Sequence, residues 1–376
     1  MIFLGQASNF RDHHKTPKHF FARGKKSDSN ALRAYLAARY GTDRDHVALY
    51  HNGRTALGVA LRTFVPEHSG IMVTGFTCSA VIQAIRYAKC IPIYVDIDPE
   101  TLNFTAKELD HAYVRHATDR IAAVIIQNTL GNTGDIRPIE DFCHEHNLVM
   151  IEDLAHCTGC KYSDGREVGT VGRAACLSFG KGKSIDTISG GALVFNRPKD
   201  PPMEQPYDRP SLGDSARDRW YPVFGRQIRF FYHLGLGKLW TSFLIKIGCI
   251  SRSADADLDP TVSLMHWQAK LALRQIQSIP RSKSGRPPIR DFYLVKKRKL
   301  VLRRLEKMGY ILNDTWYDVP VAPARYYKKM RYHESECPVA TAVAKHIINL
   351  PTNYPKSDLT AAYKIIKEYQ IDDHEQ

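Results

Sequence analysis

The sequence predicts an α/β protein with a mostly parallel central sheet flanked by helices, followed by a smaller C-terminal α+β domain. From about residue 46, short β-rich runs alternate with helix-like stretches, the pattern of βαβ units whose sheet is covered on both faces. Hydrophobic residues make up 43% and charged residues 24% of the chain, as in soluble globular proteins. The 376 residues exceed the roughly 100–200 of an average domain, so two domains are expected.

Seven strand-like runs define the predicted sheet. In chain order they are HVALYHNG, GIMVTG, IPIYVDID, RIAAVIIQ, LVMIED, AACLSF and GALVF. Helix-like stretches separate the first five, namely GRTALGVALRTFV, SAVIQAIRYA, AKELDHAYVRH and IEDFCHEHN. A loop rich in Gly, Ser and Lys lies between the last two strands, so the chain continues in the sheet after it.

Two breakers divide the rest of the chain. Residues 197–220 have the Pro, Gly and charge density of an irregular connection, and PRSKSGRPP (280–288) is a second break. A basic apolar segment and the helix-like TVSLMHWQAKLALRQIQSI lie between them, and a Lys/Arg-rich helix is expected at 291–308. The predicted division is a large domain at 1–260 with an irregular, basic apolar insertion at about 197–256, a connecting helix and linker at 261–288, and a small domain at 289–376.

The formal charge of +14 favours anionic partners without choosing among nucleic acid, anionic lipid and phosphorylated small molecules. The sequence has no zinc-finger spacing, RNP motif or basic heptad helix, so no nucleic-acid partner is expected. The eight cysteines lie in apolar or strand-like contexts, and no secretory leader is visible. A reduced, cytoplasmic protein is therefore predicted.

Two short motifs have the spacing of metal ligands, but neither predicts a metal site. Cys157-Thr158-Gly159-Cys160 is followed by no second CxxC or paired His, so packing is favoured. Cys143-His144-Glu145-His146 lies on a predicted helix, where residues one or two apart do not face together. We therefore expect no metal.

Residues that follow strands are the candidate functional residues, because ligands of open α/β sheets bind beyond the carboxyl ends of the strands. Asp153 follows the strand LVMI, and Ser178 and Lys183 follow AACL. A lysine that can form an imine and a carboxylate that keeps a pyridine nitrogen protonated are what pyridoxal phosphate (PLP) requires. Taken singly, Asp153 has a plain interpretation as a helix cap and Lys183 as a solvated lysine.

A third strand end, at Asn52-Gly53-Arg54-Thr55, opens a helix whose backbone N–H groups could bind an anion, although many structural turns look the same. Together with IEDLAHCTG and SFGKGKSIDTISGGALVF, the run NGRTAL resembles the DegT/DnrJ/EryC1/StrS sugar aminotransferases, a family of PLP fold type I. The family pattern is an Asp after a buried strand, a Ser-Phe pair about 25 residues on, the Schiff-base lysine five residues after that Ser, and a Gly-Gly. Asp153, Ser178-Phe179, Lys183 and Gly190-Gly191 hold this spacing.

The resemblance implies a role for each candidate residue. Lys183 would carry PLP as a Schiff base, Asp153 would pair with the ring nitrogen, and Ser178 would bind the phosphate. His156 stands where the family has Gln or His beside the ring. The cofactor-binding residues implied in this way are Gly53, Arg54, Thr55, Asp153, His156, Ser178 and Lys183.

The chain departs from the family pattern in three places. Cys78 stands where the family carries an aromatic residue stacked on the PLP ring. The Asn that members donate to the partner subunit's phosphate site falls at Thr261 or Ser263. Residues 197–260 match poorly, and this stretch could shape the substrate pocket.

By the same resemblance, the protein is a PLP-dependent aminotransferase and a homodimer. An amino acid, with glutamate as the first candidate, would give up its amino group, and a nucleotide-linked keto-sugar would receive it. The Lys183 amine would act as the base at the donor Cα. Two alternatives stay open: a PLP-dependent sugar dehydratase, in which His replaces the lysine, and a non-catalytic regulatory or surface-binding protein on the same fold. Lys183 and Asp153 weigh against them.

The segment from Val223 to Arg252 contains basic and apolar residues but no Asp or Glu. Its charges and the breaks at Gly235 and Gly237 argue against a membrane-spanning helix, which needs about 20 mostly apolar residues. Its apolar residues either pack against the protein body or the dimer partner, or lie on an anionic membrane surface. Membrane contact would involve Arg226, Arg229, Lys238 and Lys246, and would make the cytoplasmic protein membrane-peripheral.

Overall fold

The computed structural model describes residues 1–4, 18–251, 258–279, 288–312 and 316–371. In chain order its strands are β1 (Ile2–Phe3), β2 (Val47–Tyr50), β3 (Gly70–Thr74), β4 (Thr77–Cys78), β5 (Ile91–Val95), β6 (Ile121–Ile126), β7 (Val149–Asp153), β8 (Ala174–Ser178), β9 (Gly191–Phe195), β10 (Arg290–Leu294), β11 (Tyr310–Ile311), β12 (Val321–Ala322) and β13 (Ile347–Pro351). Its α-helices are α1 (Lys18–Phe21), α2 (Lys26–Tyr40), α3 (Gly53–Phe64), α4 (Ser79–Tyr87), α5 (Ala106–Arg115), α6 (Arg137–Glu145), α7 (Leu212–His233), α8 (Gly237–Lys246), α9 (His266–Gln277), α10 (Arg298–Lys307), α11 (Tyr327–Met330), α12 (Pro338–His346) and α13 (Thr360–Lys367).

A seven-stranded sheet in the order β2-β9-β8-β7-β6-β3-β5 forms the centre of the protein. The pairs from β8 to β5 are parallel, whereas β9 runs antiparallel to both of its neighbours. Strands β3 and β9 are buried at every residue, as expected where helices cover both faces. The predicted fold class and the seven strand-like runs are confirmed.

Two apolar layers cover the sheet. On one face, Leu61 of α3 and Ile85 of α4 belong to a large buried cluster with side chains of the strands. On the other face, Leu36 of α2, Phe142 of α6 and Ala272 of α9 form the second cluster. Burial of apolar surface on both faces fixes the sheet, and thereby the positions of the strand ends.

Residues 197–220, predicted to be an irregular connection throughout, become helical at Leu212. Helix α7 begins there because the Ser211 hydroxyl accepts a hydrogen bond from the backbone N–H of Asp214 at 3.1 Å. The helix ends at His233, and Gly235 with φ of 74° provides the turn into α8. None of the helices in the described ranges is long and apolar enough to cross a membrane.

The helix predicted at 291–308 is a strand followed by a helix. Residues Arg290–Leu294 form β10 because they pair with β13 in an antiparallel register, Phe292 opposite Asn349. The helical part, α10, begins at Arg298, where the Lys/Arg-rich run continues. The tertiary pairing with β13 outweighs the helical propensity of the neighbouring Lys and Arg residues.

The C-terminal part has its own small core. Val301 and Leu305 of α10 and Ile366 of α13 pack with Ile348 and Leu350 of β13. The N-terminal strand β1 pairs with β11, and β4 of the large sheet region pairs with β12. Through the pair of β4 with β12 the C-terminal part lies next to the carboxyl end of β3. The predicted linker at 280–288 lies, apart from residue 288, outside the described residues.

Candidate active site

A cleft of about 980 Å³ opens at the carboxyl ends of β2, β7 and β8. It is where open α/β sheets bind their ligands. Five of the seven candidate site residues line it, namely Gly53, Arg54, Asp153, Ser178 and Lys183. The sheet thus brings together residues that are more than a hundred positions apart in the chain.

The start of α3 forms a closely packed cradle against β8. A Cβ atom at Gly53 would lie 2.7 Å from Cβ of Ser178, and one at Gly191 would lie 2.5 Å from Cα of Gly53. No side chain fits at either glycine, and the first backbone N–H groups of α3 lie beside Ser178. A helix start of this kind is suited to an anion such as a phosphate.

The other two residues of that turn have different surroundings. The Arg54 guanidinium donates to Oε1 of Gln83 at 2.5 Å and lines the cleft. Thr55 is fully buried, and its backbone N–H and hydroxyl both donate to Oδ1 of Asn52, at 2.8 and 3.0 Å. Thr55 therefore completes the helix cap and stabilises the cradle from behind.

Asp153 and Lys183 approach the cleft from neighbouring strand ends. Asp153 is buried, and its Oδ1 accepts the backbone N–H of Ala155 at 2.9 Å. Burial raises the pKa of Asp153, and the nearby Lys183 opposes this shift. The Lys183 Nζ atom lies 4.5 Å from the ring centroid of Trp316.

His156 is buried behind the cleft, next to Trp316 and Tyr317. The backbone N–H of Leu130 donates to its Nδ1 at 3.2 Å, so the proton of the neutral ring is on Nε2, which can donate to the Tyr317 hydroxyl at 3.2 Å. Burial, with the positive charges of Lys183 and Arg290, lowers the pKa of His156 well below its usual value. The imidazole is therefore neutral at physiological pH.

Sequence reasoning missed the wall opposite the sheet, which α7 supplies. Asp218 of this helix accepts hydrogen bonds from Oγ of Ser189 and, at 3.2 Å, from Nε2 of Gln268. Lys181 donates to the carbonyl of Ser251 at 2.8 Å, and burial lowers its pKa to about 8. No local motif marks Asp218, because its place depends on where α7 crosses the cleft.

Trp316 and Tyr317 were also missed. They come from the C-terminal part and line the cleft beside Lys183. The parallel pairing of β4 with β12, in which Cys78 lies opposite Ala322, joins this segment to the sheet. Cys78 itself lines the cleft at the start of α4.

The cysteine motifs contribute nothing to the cleft. Cys157 and Cys160 are buried free thiols, and burial raises the pKa of Cys157 well above its usual value. Within the described part of the chain, no group of three or more His, Cys, Asp or Glu side chains could hold a metal ion.

The residues of the cleft fit pyridoxal phosphate. The cradle at Gly53, which any side chain would fill, suits its phosphate, and a carboxylate and a lysine meet at the adjacent strand ends. The fold and this site define a PLP-dependent enzyme of fold type I.

The chain belongs to the DegT/DnrJ/EryC1/StrS aminotransferase family, whose pattern matches residues 18–229, more than half of its length. The enzymes of this family depend on PLP. A protein of Streptococcus pneumoniae described as a sugar aminotransferase shares the fold at 16% identity. Its PLP form has a TM-score of 0.66 and covers 98% of both chains. Its PMP form has a TM-score of 0.65 and covers 98% of this chain and 97% of the solved chain.

Three further relatives show the range of similarity. The pleiotropic regulatory protein of Geobacillus stearothermophilus is 25% identical over 85% of this chain and 82% of its own length. The GDP-perosamine synthase of Caulobacter vibrioides is 31% identical over 49% of this chain, which spans only 48% of that protein. The aminotransferase TlmJ of Streptoalloteichus hindustanus has a TM-score of 0.67 at 18% identity, covering 98% of both chains.

Proposed function

We propose that the protein transfers an amino group from an amino acid to a nucleotide-linked keto-sugar. Glutamate is the first candidate for the amino donor. The observation that carries the proposal is the meeting of Lys183 and Asp153 with the Gly53 cradle in one cleft. PLP, when bound, supplies an aldehyde that takes up the amino group and a ring that accepts electrons. The donor takes up the oxygen of one water and leaves as a 2-keto acid, and the sugar carbonyl oxygen leaves as water.

The cofactor-holding residues have distinct tasks in this proposal. Ser178 and the N–H groups at Gly53 bind the phosphate, and the Arg54 guanidinium adds positive charge. Asp153 holds a proton on the ring nitrogen. The positive charge of that nitrogen in turn stabilises the Asp153 carboxylate, which burial keeps from water. Thr55 supports the cradle through Asn52, and His156 acts through its contacts with Trp316 and Tyr317.

Lys183 has two tasks: it bonds to the cofactor in the resting enzyme, and its released amine moves the proton at the donor Cα. The same amine returns a proton when the sugar is aminated. A lysine is able to do both because it is a nucleophile and a base, whereas the His of a sugar dehydratase cannot form the bond. The dehydratase alternative is therefore disfavoured by Lys183.

The cleft carries charges of both signs. Its lining includes the basic side chains Arg54, Lys181, Lys183, Arg217 and Arg229 and the acidic side chains Asp153, Asp214, Asp218, Asp259 and Asp318. A diphosphate that links a sugar to a nucleoside would pair with individual basic side chains of this lining, not with a net positive charge. The name of the GDP-perosamine synthase relative agrees with this class of acceptor.

A two-step spectroscopic experiment tests the function. Purified protein with PLP should absorb in the visible region, and addition of glutamate should convert this band while 2-oxoglutarate forms in equal amount. A nucleotide-linked keto-sugar should then restore the band. A protein without a visible band would instead support the regulatory alternative, for which the Geobacillus regulatory protein is a precedent of similar length.

We also infer a homodimer, the commonest symmetric assembly. The side chains at the two positions aligned with the family's cross-subunit Asn form hydrogen bonds inside the same chain. Thr261 donates to Oδ1 of Asp259 at 2.8 Å, and Ser263 donates to the carbonyl of Asp208 at 2.8 Å. Light scattering should give twice the chain mass, and a fully active monomer would contradict this part of the proposal.

Peripheral membrane contact is the remaining part of the proposal, and the exposed face of α8 favours it. Leu239, Phe243 and Ile247 recur at four-residue intervals and are 70, 47 and 53% exposed. Phe230 and Leu234 continue this surface at the end of α7, with 59 and 56% exposed. Such a stripe of large apolar side chains on a helix is typical of an interfacial helix.

The charges around this stripe favour an anionic lipid surface over a second copy of the chain. Residues 219–251 contain no Asp or Glu, and Arg226, Lys238 and Lys246 are exposed, with Lys238 paired to Glu306 at 3.0 Å. A two-fold contact would bring like charges together, whereas acidic lipids complement them. Arg229 points elsewhere, over the Phe3 ring at 4.5 Å, and Arg252 lies outside the described residues.

Co-sedimentation with phosphatidylserine vesicles at low salt tests this contact. Binding should weaken when Arg226, Lys238 and Lys246 are changed to Gln, and also in Leu239→Ser with Phe243→Ser. Lys328→Gln with Lys329→Gln, on the exposed C-terminal surface, is the matched control. If Leu239→Ser with Phe243→Ser makes the protein monomeric, and wild-type protein does not bind vesicles, the stripe belongs to the dimer interface.

A further inference from the structure

Trp316 lies where the C-terminal part meets Lys183. The Lys183 Nζ atom is 4.5 Å from the centroid of its indole ring. The His156 ring stacks on the indole at 4.8 Å with an interplanar angle of 18°, and Cζ of Arg290 lies 4.4 Å from the same ring. One aromatic side chain thus contacts the lysine of the site, a neutral imidazole and a buried guanidinium.

The position of Trp316 is fixed from behind. Oδ1 of the fully buried Asn349 accepts the Trp316 backbone N–H at 3.4 Å, and Nδ2 of Asn349 donates to the Trp316 carbonyl. The same Oδ1 accepts from Nη1 of Arg290 at 2.9 Å. Trp316 is itself only 7% exposed. The indole is therefore held in place before any ligand binds.

The position at the start of α4 has no such ring. Cys78, which lines the cleft at the start of α4, has a thiol and no π-face. An indole attracts a positive charge over its face more strongly than any other side chain ring. Trp316 lies close enough to Lys183 for a cation–π contact, which Cys78 cannot provide.

We propose that Trp316 is the positioning residue of Lys183: its π-face stabilises positive charge on the lysine nitrogen and contacts the cofactor bonded there. The inference rests on the proposed role of Lys183. Three other groups act on the same nitrogen. Asp153 favours its positive charge, Arg290 opposes it, and His156 is neutral. The indole contacts both cations, Lys183 and Arg290.

The test is a pH titration of the visible absorbance of the PLP-loaded enzyme, which reports the proton on the bonded Lys183 nitrogen. In Trp316→Ala the midpoint should fall by about 0.5 to 1.5 pH units, the shift that corresponds to loss of one buried cation–π contact. Trp316→Phe should retain part of the shift, since a phenyl ring has a weaker face. Trp220→Phe, an exposed tryptophan on α7, should titrate like wild type.

Tryptophan emission gives a second readout, which requires only folded Trp316→Phe. PLP added to the cofactor-free protein should quench emission, and Trp316→Phe should lose more of this quenching than Trp220→Phe. An unchanged midpoint and unchanged quenching, with borohydride label on Lys183, would overturn the role of Trp316 alone. Absence of label from Lys183 in wild-type protein would overturn the proposed function as well.

Discussion

The two walls of the cleft differ in packing. On the sheet side, Asp153 is 8% exposed and Thr55 is fully buried. Strand pairing fixes the backbone of Asp153, and the helix cap fixes that of Thr55. On the other side, α7 buries Asp218 at the cleft, but α7 and α8 leave Phe230 and Leu239, which do not line the cleft, 59 and 70% exposed. From this difference we expect a division of labour, in which the sheet wall would perform the chemistry and the helical wall would contribute recognition. Substitutions in the sheet wall should therefore have the larger effects.

The largest expected effect is that of Asp153→Asn. The amide keeps an oxygen for the Ala155 N–H but loses the negative charge that, in the proposed function, would hold the ring nitrogen protonated. We expect kcat to fall by roughly 10²- to 10³-fold, as when one preorganised electrostatic contact is removed from an active site. Steady-state kinetics at saturating PLP measures the effect. Asp119→Asn, at an exposed ion pair with His116, should leave kcat unchanged.

Glu152 sharpens the comparison, because it is the strand neighbour of Asp153 and points away from the cleft. Its two oxygens accept hydrogen bonds at 2.7 to 2.9 Å from the Tyr162 hydroxyl and from three backbone N–H groups of residues 169–172. In Glu152→Gln the amide nitrogen would face two donors, so the free energy of unfolding should fall by about 2–4 kcal/mol.

Thermal and denaturant unfolding of Glu152→Gln measures this loss. The matched control is Glu67→Gln, which breaks an exposed ion pair with Lys89 and should cost less than about 1 kcal/mol. Equal stability losses in the two variants would show that the loop at 169–172 does not depend on the buried carboxylate.

Gly53→Ala probes the cradle. The new Cβ would lie 2.7 Å from Cβ of Ser178, so the start of α3 must shift. We expect PLP affinity to fall roughly tenfold, equivalent to about 1.4 kcal/mol, the lower end of overpacking costs. Gly134→Ala, where a Cβ meets nothing within 4 Å, should bind PLP like wild type in a titration of the visible band.

The last effect concerns stability alone and involves Lys181 in the helical wall. Burial lowers its pKa to about 8, and an unfolded lysine has a pKa of about 10.4. Between these values the unfolded chain binds more protons, so the native state gains stability as pH rises. Lys181→Met should lack this gain, roughly 1–2 kcal/mol, in melting curves recorded at pH 7.5 and 10. Parallel pH dependence of the two proteins would contradict the lowered pKa.

The same contrast explains what the sequence could predict. Asp153, Ser178 and Lys183 follow strands directly, and strand pairing alone brings their backbones to one edge of the sheet. Side-chain direction was harder: Thr55 and His156 come from the predicted runs, yet both are buried behind the cleft. The difference arises because the Asn52 cap and the Leu130 N–H orient these side chains, and neither contact has a sequence signature.

The outer wall could not be predicted from local pattern. Trp316 reaches Lys183 through the pairing of β12 with β4 and the bonds of Asn349, which join parts of the chain far apart in sequence. Helix α7 was read as an irregular connection up to residue 220 because its N-terminal flank is rich in Pro and charge. Only the Ser211 cap reveals where it begins.

Attachment of the cofactor to Lys183 is the central claim, and Lys181 is its nearest competitor, since a lysine with a pKa of about 8 is also reactive. Borohydride reduction of the PLP-loaded protein, followed by proteolysis and mass spectrometry, identifies the modified lysine. We expect label on Lys183 in wild-type protein and in Lys181→Arg, and none in Lys183→Arg. Label on Lys181, or none in the wild type, would contradict this claim.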